Sequence, residues 1–397
     1  MIRLFLSLLI FSCFACSKAQ DLRLGAERME EYLPLLEGKR VALVVNQTST
    51  IGKTHLVDTL VSRGVNVVKV MAPEHGFRGE AADGETIDNS KDAKTGLPII
   101  SIYGSTKKPT PEMLADVDVL IFDIQDVGVR FYTFISTMHY VMEAAAENNK
   151  QVIVLDRPNP NGMYIDGPVK DDDINGFVAM HPIPIVHGLT VGELAMMING
   201  EAWLKPEKVN SNDNPEGSGP NSKCDLTVIT MEGWDHAQTY SLPISPSPNL
   251  PTDNSITLYP SLALFEGSVV SVGRGTDHPF EVIGHPDYQL GSYAFTPEPN
   301  AGSKYPPLEG KECFGQSFVG IDAPYELTLK YLLSYYKELK DDTTFFRDYI
   351  DLLSGTKEFR KQVEADWTEE QIKATWQPKL NAYKAMRKKY LLYGDFQ

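Results

Sequence analysis

Beyond its first twenty residues the chain has no apolar run long enough to form a membrane-spanning helix, so its body does not read as a membrane protein. Cysteine is scarce: four in 397 residues, with only Cys224 and Cys313 outside the leader. Two cysteines so far apart make no disulfide framework, and either one bridge or two buried thiols satisfies them. There is no paired Cys/His spacing of the zinc type, so no metal is expected. Positive charge is also short, with 37 Lys and Arg against 53 Asp and Glu and a net charge of −16. That balance argues against nucleic acid as a partner, because phosphate binding needs a basic surface. No G-x-G-x-x-G follows the first strand and no G-x-x-x-x-G-K-[ST] occurs; Gly52-Lys53-Thr54 has the tail of such a loop without its leading glycine. No cofactor is therefore expected. Ser247, His278 and Asp277 lack a G-x-S-x-G elbow, so hydrolysis by an activated serine is not the reading.

What is present begins with Arg3, an apolar run over 4–15 and then small polar residues, the pattern of a secretory signal peptide over 1–20. Cleavage before Gln20 and lipoprotein processing at Cys16, leaving an acylated anchor there, both fit. The protein is expected to be exported, periplasmic or membrane-anchored. Strand-like stretches at 40–46, 65–71, 97–103, 117–124, 151–156 and 226–231 alternate with helix-like ones at 54–63, 110–115, 132–148 and 190–204. Such alternation predicts an α/β fold with a mostly parallel, doubly wound sheet over 21–240. Thr190 and Glu193 have the spacing of a capping box. The stretch 210–222 is a polar Gly/Pro-rich loop. Residues 242–288 read as proline-rich ordered loop, and 325–339 and 369–390 as helix. The chain from 241 to 397 is thus expected to be a smaller α+β domain.

The carboxyl ends of parallel strands lie on one edge, where α/β proteins place ligands. In this chain the strand at 65–71 leads into Pro73-Glu74-His75-Gly76-Phe77-Arg78-Gly79-Glu80, which packs four ionisable groups into seven residues. Other strand ends supply Asn46, then Asp123, Gln125, Asp126 and Arg130, then Asp156. Converging carboxylates suit glycosidic hydrolysis, which needs one protonated carboxyl for the leaving oxygen and a second group for the oxocarbenium-like centre. Glu74 is the candidate acid, since partial burial after an apolar strand raises a carboxyl pKa toward neutrality. Asp123 or Asp126 is the candidate partner. His75 either moves protons or holds the loop; Arg78 and Arg130 offer bidentate carboxylate binding. Tyr132, with Tyr103 and Phe131, offers a stacking face for a sugar. Further on, Ser245-Pro246-Ser247-Pro248-Asn249 and Gly273-Arg274-Gly275-Thr276 suggest a stiff wall carrying Asn249 and Arg274 as polar teeth.

Several motifs occur together in order: Val45-Asn46-Gln47-Thr48-Ser49, Pro73-Glu74-His75-Gly76, and Phe122-Asp123-Ile124-Gln125-Asp126-Val127-Gly128-Val129-Arg130-Phe131-Tyr132. They continue with Leu155-Asp156-Arg157-Pro158-Asn159-Pro160, His187-Gly188-Leu189-Thr190-Val191-Gly192-Glu193, Pro246-Ser247-Pro248-Asn249 and Gly273-Arg274-Gly275-Thr276. From about residue 35 onward the chain resembles the exo-acting β-N-acetylmuramidase family of peptidoglycan turnover. The resemblance implies a Rossmann-like domain, a smaller second domain and a cleft between them. It also implies release of N-acetylmuramic acid from the non-reducing end of muropeptide or other peptidoglycan-derived fragments. Its most secure transfer is to Glu74, whose motif is intact; Asn161-Gly162-Met163 departs where a second glycine is expected. Arg78, Arg130 or Arg274 would clamp the lactyl carboxylate of the sugar. An exported solute-binding protein for cell-wall sugars is the competing reading.

Overall fold

A computed structural model describes residues 21–74, 76–78, 90–205, 223–341 and 344–396. Residues 1–20, read as a signal peptide and including Cys16, the stretch 210–222 read as a loop, and His75 and Glu80 lie outside the described residues.

Among the described residues twelve strands occur in this order: β1 Val41–Val45, β2 Thr50–Ile51, β3 Thr54–His55, β4 Val67–Ala72, β5 Ser90–Lys91, β6 Pro98–Ser101, β7 Val119–Asp123, β8 Gln151–Leu155, β9 Asp225–Ile229, β10 Val282–His285, β11 Tyr293–Phe295 and β12 Cys313–Ser317. Seven form the main sheet in the order β5-β6-β4-β1-β7-β8-β9. All its pairings are parallel except the short β5 against β6. Without β5 this is the doubly wound order of Rossmann folds, with the switch point between β1 and β7. Strands β1 and β7 are buried end to end, as expected where both faces are covered. Alternate residues divide between two cores: Ala42, Val44, Phe122 and Val154 face one, Val41, Leu43, Val45 and Ile121 the other.

The larger core runs on without a break into the second domain, through Leu250, Tyr259, Phe280, Tyr335 and Tyr383. There β10-β12-β11 form an antiparallel sheet, joined by helices Lys330–Leu339, Tyr349–Ser354, Lys357–Glu364 and Glu369–Arg387. The stretch read as loop over 242–288 contains a helix, Asp253–Leu262, despite Pro260 inside it. Reciprocal bonds between Thr252 and Ser255 cap its start, and its buried residues outweigh the one backbone donor that proline lacks. The Thr190/Glu193 capping box is formed at the helix Val191–Gly200. Cys224 and Cys313 are both buried and unpaired.

Candidate active site

Strand β4 ends at Ala72, and two residues later Glu74 stands on the sheet edge. Its Oε1 accepts from the Tyr103 hydroxyl at 2.6 Å and its Oε2 from the Thr133 hydroxyl at 3.2 Å. Tyr103 comes from the loop after β6, and Thr133 immediately precedes the helix Phe134–Glu147. Three separate strand ends therefore fix one carboxyl. The loop reaching Thr133 turns sharply at Gly128, whose φ is +77° and whose N–H donates to Asp126 Oδ2 at 2.8 Å. A side chain at 128 would strike Asn159, so the turn requires glycine.

Glu74 borders a cavity of about 370 Å³, the size of small-molecule sites. The first domain contributes Glu74, Tyr103, Lys107, Tyr132, Thr133 and Phe177; the second contributes Ser247, Asn249, Tyr259, Glu266, Arg274 and Tyr349. Tyr132 donates to the Pro246 carbonyl at 2.8 Å, and Gln47 to the Ser245 and Pro246 carbonyls, so the two parts are bonded at the rim. Burial pushes the Tyr132 phenol well above its usual value, which keeps it a neutral donor. Asn249 Nδ2 donates to the Gly302 carbonyl at 2.8 Å. Arg274 Nε donates to Glu266 Oε1 at 2.7 Å and lies over the Phe280 ring. Tyr259 meets Phe131 and Phe280 edge to face, forming an aromatic wall.

Of the residues singled out from sequence, Glu74, Tyr103, Phe131, Tyr132, Ser247, Asn249 and Arg274 line this cavity. The others in the described residues do not, and each has a structural reason. Asp123 is fully buried and gripped by Arg157. Asn46 folds onto Thr48, and Gln125 donates to the Pro158 carbonyl, so these side chains plug the sheet's switch point where a doubly wound fold would seat a nucleotide. Asp126 is occupied by the Gly128 turn and lies 3.5 Å from His187. Arg78 makes a two-pronged pair with Asp92, at 3.1 and 3.0 Å. Arg130 is completely buried on the carbonyls of Pro168, Ile183 and Leu353, where burial lowers its guanidinium to about 9. Asp156 accepts from Thr190 and Tyr393, far from solvent. His75 lies outside the described residues.

Sequence reasoning passed over Lys107, Thr133, Phe177, Glu266 and Tyr349. Lys107 follows a strand end like the others, so the strand-edge rule applied to β6 finds it. The rest sit in helices or their approaches, where no periodic or spacing signal marks them.

Residues 41–254 match the N-terminal domain, and residues 257–393 the C-terminal domain, of the exo-β-N-acetylmuramidase NamZ family. The chain belongs to that family. It is 37% identical over 388 residues to the peptidoglycan β-N-acetylmuramidase NamZ of Bacillus subtilis strain 168, spanning 92% of this chain and 89% of that one. Two crystal structures of DUF1343 family proteins from Bacteroides fragilis share its fold. One has a TM-score of 0.84 at 43% identity, covering 95% of this chain and 100% of its own. The other has a TM-score of 0.78 at 31% identity, covering 94% and 99%. The NamZ family match runs through both domains, and so through both walls of the cavity.

Proposed function

We propose that the protein is an exo-acting glycoside hydrolase that releases N-acetylmuramic acid from the non-reducing end of peptidoglycan fragments. The observation that carries this is the family match across both domains. It gives the solute-binding reading no support. A cavity of about 370 Å³ suits one terminal sugar ring with the remaining chain leading out of the mouth.

In this reading Glu74 is the general acid. A protonated Glu74 donates to the glycosidic oxygen as its bond to the anomeric carbon breaks, so the leaving sugar departs as a neutral alcohol. Tyr103 and Thr133 hold the carboxyl in place. Glu266, the other carboxylate on the lining, is held against Arg274 and serves as a wall residue. Tyr132, Asn249 and Arg274 are the substrate contacts. A water molecule supplies the hydroxyl at the anomeric carbon of the released sugar, and its remaining proton restores the Glu74 carboxyl. The pattern of the first twenty residues supports export, and Cys16 as a lipid attachment point; intact mass of the membrane-extracted protein tests the latter.

The test is hydrolysis of a chromogenic β-N-acetylmuramide against the matching β-N-acetylglucosaminide. Release from the muramide alone is expected. Release from neither by a folded protein would overturn the reading.

A further inference from the structure

Lys107 and Lys108 are neighbours in the loop leaving β6, yet they serve different surroundings. Lys108 is neutralised, donating to Glu143 Oε1 at 2.9 Å and Glu147 Oε1 at 2.6 Å. Lys107 lies on the cavity lining, its Nζ 4.6 Å from the centroid of the Phe177 ring. Phe177 is in turn stacked on Tyr140, with ring planes 13° apart, so the ammonium rests on a fixed platform. Among the described residues no carboxylate forms an ion pair with Lys107. The lining's other cation, Arg274, has Glu266 beside it. Arg78 and Arg130, the alternatives suggested by sequence, are committed to Asp92 and to backbone carbonyls.

A held ammonium without a protein carboxylate, facing a ligand cavity, is matched by an anion on the ligand. We propose that Lys107 receives the lactyl carboxylate of the terminal N-acetylmuramic acid and thereby sets the preference for a muramide over a glucosaminide. The inference rests on the muramidase reading above. The lactyl acid is the one ionised group on that sugar at neutral pH; its hydroxyls and acetamide are shared with the glucosamine analogue. Lys107 is thus a specificity-determining contact, with Glu74 remaining the acid.

The experiment compares wild type, Lys107→Met and Lys107→Arg on a chromogenic β-N-acetylmuramide, its lactyl methyl ester and the β-N-acetylglucosaminide. For Lys107→Met the expected result is a KM raised about ten- to a hundredfold on the acid, the range of one charge-assisted hydrogen bond. Turnover at saturation should stay within a few fold, the ester should be unaffected, and Lys107→Arg should retain most of the affinity. Equal losses on acid and ester would overturn the contact. Calorimetric titration of the same proteins with free N-acetylmuramic acid and N-acetylglucosamine reads it without turnover. Acid binding that weakens only in Lys107→Met sustains the contact even if no substrate is cleaved, an outcome that would sink the hydrolase reading alone. Acid binding that ignores residue 107, or none at all by wild type, overturns it.

Discussion

Arg157 reaches from the end of β8 to Asp123 at the end of β7, Nε to Oδ1 at 2.5 Å and Nη2 to Oδ2 at 2.9 Å, with both side chains buried. Desolvation disfavours each charge, and the attraction of Asp123 more than offsets it at Arg157, whose guanidinium stays above its ordinary value. Removing one partner leaves the other charged and dry. Asp123→Ala should therefore cost roughly 3–5 kcal/mol of stability. Denaturant unfolding measures it. A loss below about 1 kcal/mol would show that the pair is not what closes the switch point.

Glu74→Gln keeps the shape of the side chain and removes its acid proton. The expected outcome is a fall in kcat of about 10²–10⁴-fold with an unchanged melting temperature. Activity within tenfold of wild type, on a substrate with a poor leaving group, would remove Glu74 from the acid role.

Tyr103→Phe takes away the hydroxyl that holds Glu74 Oε1. A loss of about 1 kcal/mol of transition-state stabilisation is expected, roughly a fivefold drop in kcat/KM, with a shifted acidic or basic limb in the pH–rate profile. An unshifted profile would make Tyr103 a passive wall.

Asp156 carries a distinct pH signature. Burial, reinforced by nearby Glu193, raises its carboxyl to about 6 from the ordinary 3.8 against the lowering effect of its hydrogen bonds. Between those values the folded chain holds the proton more tightly than the unfolded one, so this group's contribution to stability falls as pH rises through the window. The loss is complete above about pH 6 and amounts to at most about 3 kcal/mol. Asp156→Asn should flatten that segment of the stability curve between pH 4 and 6. An unchanged slope would assign it to other groups.

Burial pushes the thiols of Cys224 and Cys313 up to about 12 and about 11. In a chain beginning at residue 21, neither should react with iodoacetamide at pH 8 until denaturant is added. Reductant should leave the melting temperature unchanged.

The main sheet was legible because its strands are continuous apolar runs that only burial on both faces explains: the bodies of β1, β7 and β8 fall within the stretches read at 40–46, 117–124 and 151–156. The second domain was less so. Strand β12, Cys-Phe-Gly-Gln-Ser, has no clean alternation, and Pro260 hides the helix Asp253–Leu262. The strand-edge rule found Glu74 but selected too widely. The same edge carries residues that face the cavity and residues that seal the sheet, and the two kinds have identical chemistry. Arg274 pairs with Glu266 only eight residues before it and stays on the cavity, whereas Arg130 is drawn inside by partners such as the Leu353 carbonyl, 223 residues away, which leave no local trace.

The rim bonds from Gln47 and Tyr132 to Ser245 and Pro246 have a consequence for inheritance. Because opposite walls belong to different halves, the specificity of the pocket is a property of their fit. A chimera that borrows one half from a relative would preserve each half's interior and still present a new binding surface. Divergence in this family can therefore retune what is bound by drift at the joint, without touching Glu74.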